Sequence, residues 1–155
     1  MIEIHTDFLT DSESNEFIEY YKVGLENELE KQNKKGAYKF NYVDILENYN
    51  DFSFFKKITL PTTPRYVRVQ CVNNTIDMNL DPHIHRWIWT VIIFLNDDFE
   101  GGELVLDNMV IKPKKNQMLI VPGTTPHYVK NVISGNRYSL VLFLDNKLRI
   151  KKNCL

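Results

Sequence analysis

The spacing of apolar positions changes partway along the chain. Phe17, Tyr21, Leu25 and Leu29 recur every fourth residue, which lines up one face of an α-helix. Thr10, Asp11 and Ser12 offer N-cap oxygens ahead of that stripe, and Glu13 and Glu16 suit a first helical turn. Lys34-Lys35-Gly36 reads as the helix end, with basic residues at the negative end of the dipole and a glycine available for a left-handed cap. A second, shorter helix is predicted within about residues 45–58. After Pro61 and Pro64 the period falls to two. Tyr66 to Val72 alternates apolar and polar positions, and Trp89 to Leu95 reads as a buried strand. Residues 103–106, 110–111, 118–121, 128–133 and 138–144 follow as short strands. Turn sequences separate them: Asn96-Asp97-Asp98, Gly101-Gly102, Pro113 to Asn116, Pro122-Gly123 and Ser134-Gly135-Asn136. Many short strands at close spacing predict a sandwich, jelly roll or barrel. The fold class expected is mainly β, a double-stranded β-helix (jelly roll, cupin-like) buttressed by about two N-terminal helices.

At 155 residues the chain is one domain's worth. Residues 1–60 are expected to form a helical support region and 65–150 the β core. A 43% hydrophobic content suffices for one core and excludes a disordered chain. The net charge of −1 argues against a broad nucleic-acid-binding surface. The longest apolar run, Val91 to Leu95, is far below the ~20 residues of a membrane span. Cys71 and Cys154 cannot make a disulfide framework, and the N-terminus lacks the pattern of a signal peptide, so a cytoplasmic location is expected. His5 reads as a solvated terminal residue, and the basic residues from Lys147 to Lys152 as a lysine-protected final edge strand.

The chemistry-bearing residues cluster before and after the strongest strand. In an extended His83-Ile84-His85 segment both imidazoles point to one face and can reach one ion. His127 opens another strand after Pro122-Gly123-Thr124-Thr125-Pro126. Trp87 and Trp89 share the parity of His83 and His85. They would wall the same pocket if the segment ran continuously extended, and pack in the core otherwise.

These residues sit in a longer pattern. It runs Leu80-Asp81-Pro82-His83-Ile84-His85, then Thr90 to Leu104 through Asn96-Asp97-Asp98-Phe99-Glu100-Gly101-Gly102. It continues with Ile111 to Val121 and closes with His127-Tyr128-Val129 and Gly135-Asn136-Arg137-Tyr138-Ser139-Leu140. Over about residues 66–145 this order and spacing resembles the iron(II)- and 2-oxoglutarate-dependent oxygenases, in their prolyl 4-hydroxylase-like branch. The resemblance implies a dioxygenase that couples oxidative decarboxylation of 2-oxoglutarate to hydroxylation of a peptide, protein or small-molecule substrate. Fe(II), 2-oxoglutarate and O2 are its implied cofactors, with ascorbate as an accessory reductant. His83 and His127 match the two histidines of the family's H-x-D…H triad. Arg137 matches the arginine that grips the far carboxylate of 2-oxoglutarate, and Ser139 matches its hydroxyl partner.

Two positions depart from the pattern. His85 stands where the family has Asp. Three arrangements are compatible with it: a three-histidine site, an open position filled by water or an anion, or a pocket kept for binding without iron. An oxygenase independent of 2-oxoglutarate is the enzymatic alternative, and a non-catalytic jelly-roll binding domain the other. Asp81 is a weaker candidate for an oxygen ligand. Asn74 occupies the position of a tyrosine that hydrogen-bonds 2-oxoglutarate in the family, so either Asn74 itself, Tyr66 or Gln70 serves there or the cosubstrate pocket is altered. Asn116 stands where glycine is usual and is expected to take a left-handed turn conformation.

Overall fold

A computed structural model describes residues 1–35, 41–78, 82–85 and 88–151, with only the backbone course for 26–35 and 41. In chain order the elements are β1 (Glu3–His5), α1 (Asp11–Lys35), β2 (Asn41–Asp44), 3-10 turns at Tyr49–Asp51 and Ser53–Lys57, β3 (Ile58–Thr59), β4 (Tyr66–Val72) and β5 (Trp89–Phe94). Then come β6 (Glu100–Gly101), β7 (Leu104–Leu106), β8 (Met109–Ile111), β9 (Met118–Pro122), β10 (His127–Val129), β11 (Val132–Ser134), β12 (Arg137–Leu144) and β13 (Arg149–Ile150).

Helix α1 starts at a reciprocal capping box. The Thr10 hydroxyl accepts from the Glu13 N–H at 3.1 Å, and the Glu13 carboxylate accepts from the Thr10 N–H at 2.9 Å. Phe17 and Tyr21 are buried and Leu25 packs behind them, as their four-residue spacing predicts; the Leu29 side chain and the Gly36 cap lie outside the described residues. The second helix expected within residues 45–58 is replaced by the two 3-10 turns. Their aromatic residues are spaced to fill the core: Phe52 stacks on Phe17 at 4.6 Å, and Phe54 meets the edges of Phe8 and Phe17. Removing the Phe17 ring would cost about 3–5 kcal/mol, the usual range for a buried aromatic truncation.

The major sheet has the order β1-β9-β5-β12-β4-β2, with every pair antiparallel. Smaller sheets β10-β7-β8 and β11-β6 lie across from it, which makes the double-stranded β-helix. The two-residue alternation splits each long strand between two environments. Val67, Val69, Val91, Ile93, Leu140 and Leu142 join the core under α1. Ile92, Phe94, Leu104, Leu119 and Val121 form a second core between the sheets. The segment read as one strand over 128–133 is two, because β10 pairs with β7 whereas β11 pairs with β6 across a register shift.

His5 is not a solvated end: β1 pairs with β9, and His5 is half-buried beside Glu3 at 3.3 Å. The final basic segment does form a short strand, β13, against β3. Asn116 takes the left-handed conformation at φ 71° and is buried, receiving the Ser14 hydroxyl at 2.5 Å and donating to Asp11 at 2.8 Å. It thereby ties the first turn of α1 to the sheet. Cys71 is a buried free thiol, and burial pushes it up to about 11.

Candidate active site

The inner faces of β4, β5 and β12 leave a cavity of about 320 Å³ between the sheets. β4 contributes Arg68 and Gln70, β5 contributes Thr90 and Ile92, and β12 contributes Arg137, Val141 and Phe143; His83, His85 and His127 complete one side.

Two backbone contacts bring the histidines together. The segment carrying His83 lies antiparallel against the start of β10, and His83 and His127 exchange both N–H···O bonds at 3.1 and 3.0 Å. The His85 N–H donates to the Gly123 carbonyl at 2.6 Å. Gly123 must lack a side chain, since a Cβ there would lie 1.8 Å from the His85 carbonyl oxygen and 2.1 Å from that of Ile88. The three imidazoles consequently converge. Ring centroids stand 4.2 Å apart for His83–His127, 5.0 Å for His83–His85 and 5.1 Å for His85–His127. One nitrogen from each lies within 4.8 Å of the others, so the group can hold a metal ion.

The protonation states suit that role. His127 Nδ1 lies 2.9 Å from the Thr125 carbonyl oxygen. With Nδ1 as the donor, the Nε2 lone pair is free to face the cluster. Burial, and then the neighbouring His127, His83 and Arg68, push His85 down to about 4, so its ring is neutral near pH 7.

Arg137 is buried at the other end of the cavity, 2% exposed. Its Nε donates to the Gly102 carbonyl at 2.9 Å, Nη1 donates to the Ser139 hydroxyl at 3.1 Å, and its guanidinium lies 5.3 Å from the Phe94 ring centre. Gly102 has φ 69°, and a Cβ there would touch Arg137 Cδ at 2.8 Å. Gly101 and Gly102, at φ 78° and 69°, carry the chain from β6 to β7, and Gly102 seats the arginine. No carboxylate pairs with Arg137 among the described residues, and burial pushes the guanidinium down to about 10. A buried cation with only neutral partners is costly, which makes the pocket a good host for an anion. Thr90 Oγ1 is likewise buried in the cavity wall without a hydrogen-bond partner.

Other expected positions lie elsewhere. Asn74 is exposed in the turn after β4 and does not line the cavity; the polar side chain from that part of the chain that does is Gln70. Tyr66 is largely exposed, against Phe143. Trp89 faces the core under α1, and Thr90, not Trp89, meets the cavity. Trp87 and Asp81 lie outside the described residues. Sequence reasoning did not single out Arg68, Thr90, Gly102 or Gly123 as site residues. Alternation along β4 could have found Arg68, two positions from Gln70 on one face. The two glycines carry no local signal beyond a turn.

Residues 65–145 match the 2OG-Fe(II) oxygenase superfamily, and the chain belongs to that family. A segment is 36% identical over 64 residues to human prolyl 3-hydroxylase 2, which amounts to 36% of this chain and 9% of the relative; the rat protein matches equally. Among solved structures, the fold is similar to a viral collagen prolyl hydroxylase from Paramecium bursaria Chlorella virus-1 in a 2OG complex. The TM-score is 0.62 and the identity 18%, over 97% of this chain and 96% of that one. It is also similar to a Trichoplax adhaerens prolyl hydroxylase in complex with a hypoxia inducible factor peptide fragment. There the TM-score is 0.61 and the identity 17%, over 93% and 83% of the two chains. No helix among the described residues is long and apolar enough to cross a membrane.

Proposed function

We propose that the protein is an Fe(II)- and 2-oxoglutarate-dependent hydroxylase whose metal is held by His83, His85 and His127. The observation that carries this reading is the pairing of three convergent imidazoles with a buried arginine that has no acidic partner, in one cavity. The overall reaction balances as R–H plus 2-oxoglutarate plus O2 giving R–OH, succinate and CO2, with one oxygen atom in each oxidised product. Fe(II), when bound, supplies the oxygen chemistry.

The chain's own residues do the rest. Arg137 holds the far carboxylate of 2-oxoglutarate in a forked, charge-assisted contact, with Ser139 and Gly102 fixing the guanidinium. Phe94, Ile92 and Leu104 exclude water around the cosubstrate, which strengthens that contact. Thr90 Oγ1 and Gln70 are the polar groups of the wall available to the cosubstrate, in place of the exposed Asn74. The substrate is a peptide, protein or amino acid carrying a hydroxylatable C–H bond, prolyl residues being the type that the similar proteins name. Ascorbate is the proposed accessory reductant. The three-histidine set favours His85 as a working ligand over an open coordination position, since one of its nitrogens lies within 4.8 Å of a nitrogen of His83 and of His127. Anaerobic addition of 2-oxoglutarate to the Fe(II)-loaded protein tests the reading through the visible metal-to-ligand charge-transfer band.

A further inference from the structure

Asn131 stands between β10 and β11, where the chain passes from one small sheet to the other. Both polar atoms of its side chain reach across to the segment that follows β4. Oδ1 accepts the Met78 N–H at 2.6 Å, and Nδ2 donates to the Asp77 carboxylate at 3.2 Å. The start of that segment is braced within itself. The Thr75 N–H donates to the Asn73 side chain at 3.0 Å, and the Ile76 N–H donates to the Asn73 carbonyl at 3.2 Å. A turn braced on itself still has to be fixed against the sheets, and Asn131 supplies two hydrogen bonds that cross that gap.

What the anchor holds in place is the Met78 side chain. Met78 is buried, lines the cavity, and packs with Val72 and Val132. Both of these partners adjoin the seat of Arg137. Val72 lies opposite Arg137 in the register of β4 and β12, and a Cβ on Gly102 would meet Val132 Cγ2 at 3.2 Å as well as Arg137 Cδ at 2.8 Å. Met78 therefore closes the arginine end of the cavity with an unbranched thioether, which conforms to what it covers. The Asn131 backbone serves the same end. Its carbonyl accepts the Gly102 N–H at 3.1 Å, and the Gly102 carbonyl in turn accepts Arg137 Nε at 2.9 Å. One residue fixes both the seat of the guanidinium and the wall beside it.

From this juxtaposition, and resting on the proposed function above, we infer that Asn131 is a positioning residue for the cosubstrate: it latches residues 73–78 so that Met78 seals the end of the cavity where Arg137 holds a dicarboxylate. Sealing matters because the contact between guanidinium and carboxylate strengthens as water is excluded. The latch governs how long the cosubstrate stays and not how tightly the metal binds. His83 and His127 are held by their own exchanged backbone bonds, and His85 by the Gly123 carbonyl.

The test uses the full chain loaded with Fe(II) under anaerobic conditions. The charge-transfer band reports 2-oxoglutarate affinity at equilibrium, and its decay on rapid dilution reports the dissociation rate. Asn131→Ala is expected to speed dissociation about tenfold, the worth of one buried hydrogen bond, while Fe(II) affinity stays within about twofold. Asn131→Asp keeps an acceptor for the Met78 N–H and should stay within about threefold of the wild-type rate. Met78→Ala leaves the latch and removes the seal, so it should match Asn131→Ala, and the double variant should be no faster than either alone. Ser14→Ala, which cuts the hydrogen bond to Asn116 away from the cavity, controls for lost stability. It should lower the unfolding temperature and leave the dissociation rate unchanged. The inference is overturned by a wild-type rate in Asn131→Ala or in Met78→Ala, by additive effects in the double variant, by loss of the slow rate in Asn131→Asp, or by equal acceleration in Ser14→Ala. A wild-type protein without the band fails the proposed function itself, and the inference with it; a wild-type band with unaltered variants fails the inference alone.

Discussion

The Gly123 carbonyl accepts the His85 N–H at 2.6 Å, and the same glycine leaves no room for a Cβ beside the His85 carbonyl. The Pro122-Gly123 turn is therefore the mould in which the His85 segment sits. Gly123→Ala forces one backbone off the other. It is expected to destabilise the metal-free protein by about 1–3 kcal/mol, as overpacking does. Metal affinity is expected to fall by at least tenfold, in the range for misplaced ligands. Thermal unfolding and Co(II) titration check both; a variant with wild-type metal affinity would show that the contact does not position His85.

Each histidine of the cluster is expected to matter equally. His83→Ala, His85→Ala and His127→Ala should each weaken Co(II) binding by more than about a hundredfold, exceeding the usual effect of an outer contact. The decisive variant is His85→Ala. Wild-type affinity in that protein would leave His83 and His127 as the only protein ligands.

Arg137→Met separates binding from stability. Replacing a buried cation by an apolar side chain of similar length is often near neutral for folding, so the metal-free protein should change by less than about 2 kcal/mol. Its affinity for 2-oxoglutarate should drop by about a hundredfold or more. Equilibrium titration of the metal-loaded variant checks this, and an unchanged affinity would place the cosubstrate elsewhere.

The first turn of α1 carries a pH-dependent contribution. Burial alone would raise the Glu13 carboxyl, but the Lys57 ammonium at 2.5 Å and the Thr10 N–H hold it below its ordinary 4.5. Because the native value is depressed, the stabilisation is fully present above the unfolded value and is lost as pH falls through the native one. Unfolding midpoints measured from pH 7 downward should therefore decline below about pH 4.5. Glu13→Gln should be less stable at pH 7 and flatter over the acidic range.

The sequence made much of this visible, and the exceptions have physical causes. Strands β4, β5, β9 and β12 were legible because each buries one or both faces, which imposes alternation or a continuous apolar run. The histidines and Arg137 were legible through their spacing. Strands β1, β2 and β3 were not, being two to four residues long and held by partners distant in the chain. The expected second helix gave way to 3-10 turns because Phe52, Phe54 and Phe55 are placed by aromatic packing, not by helical period. Asn74 was assigned by counting back from His83, but the chain turns outward after Val72, and Gln70 is the residue left facing inward. Arg68 was overlooked, although alternation puts it two positions from Gln70 on the face of β4 that meets the cavity.

Three imidazoles and Arg137 are proposed to bind a metal and 2-oxoglutarate together. Anaerobic titration of the metal-free protein with Fe(II), then with 2-oxoglutarate, tests it most directly. Uptake of one Fe(II) is expected, followed by a visible charge-transfer band that saturates with 2-oxoglutarate and is lost in Arg137→Met at the same cosubstrate concentration. Iron uptake with no band at any 2-oxoglutarate concentration, or no iron uptake at all, would contradict it.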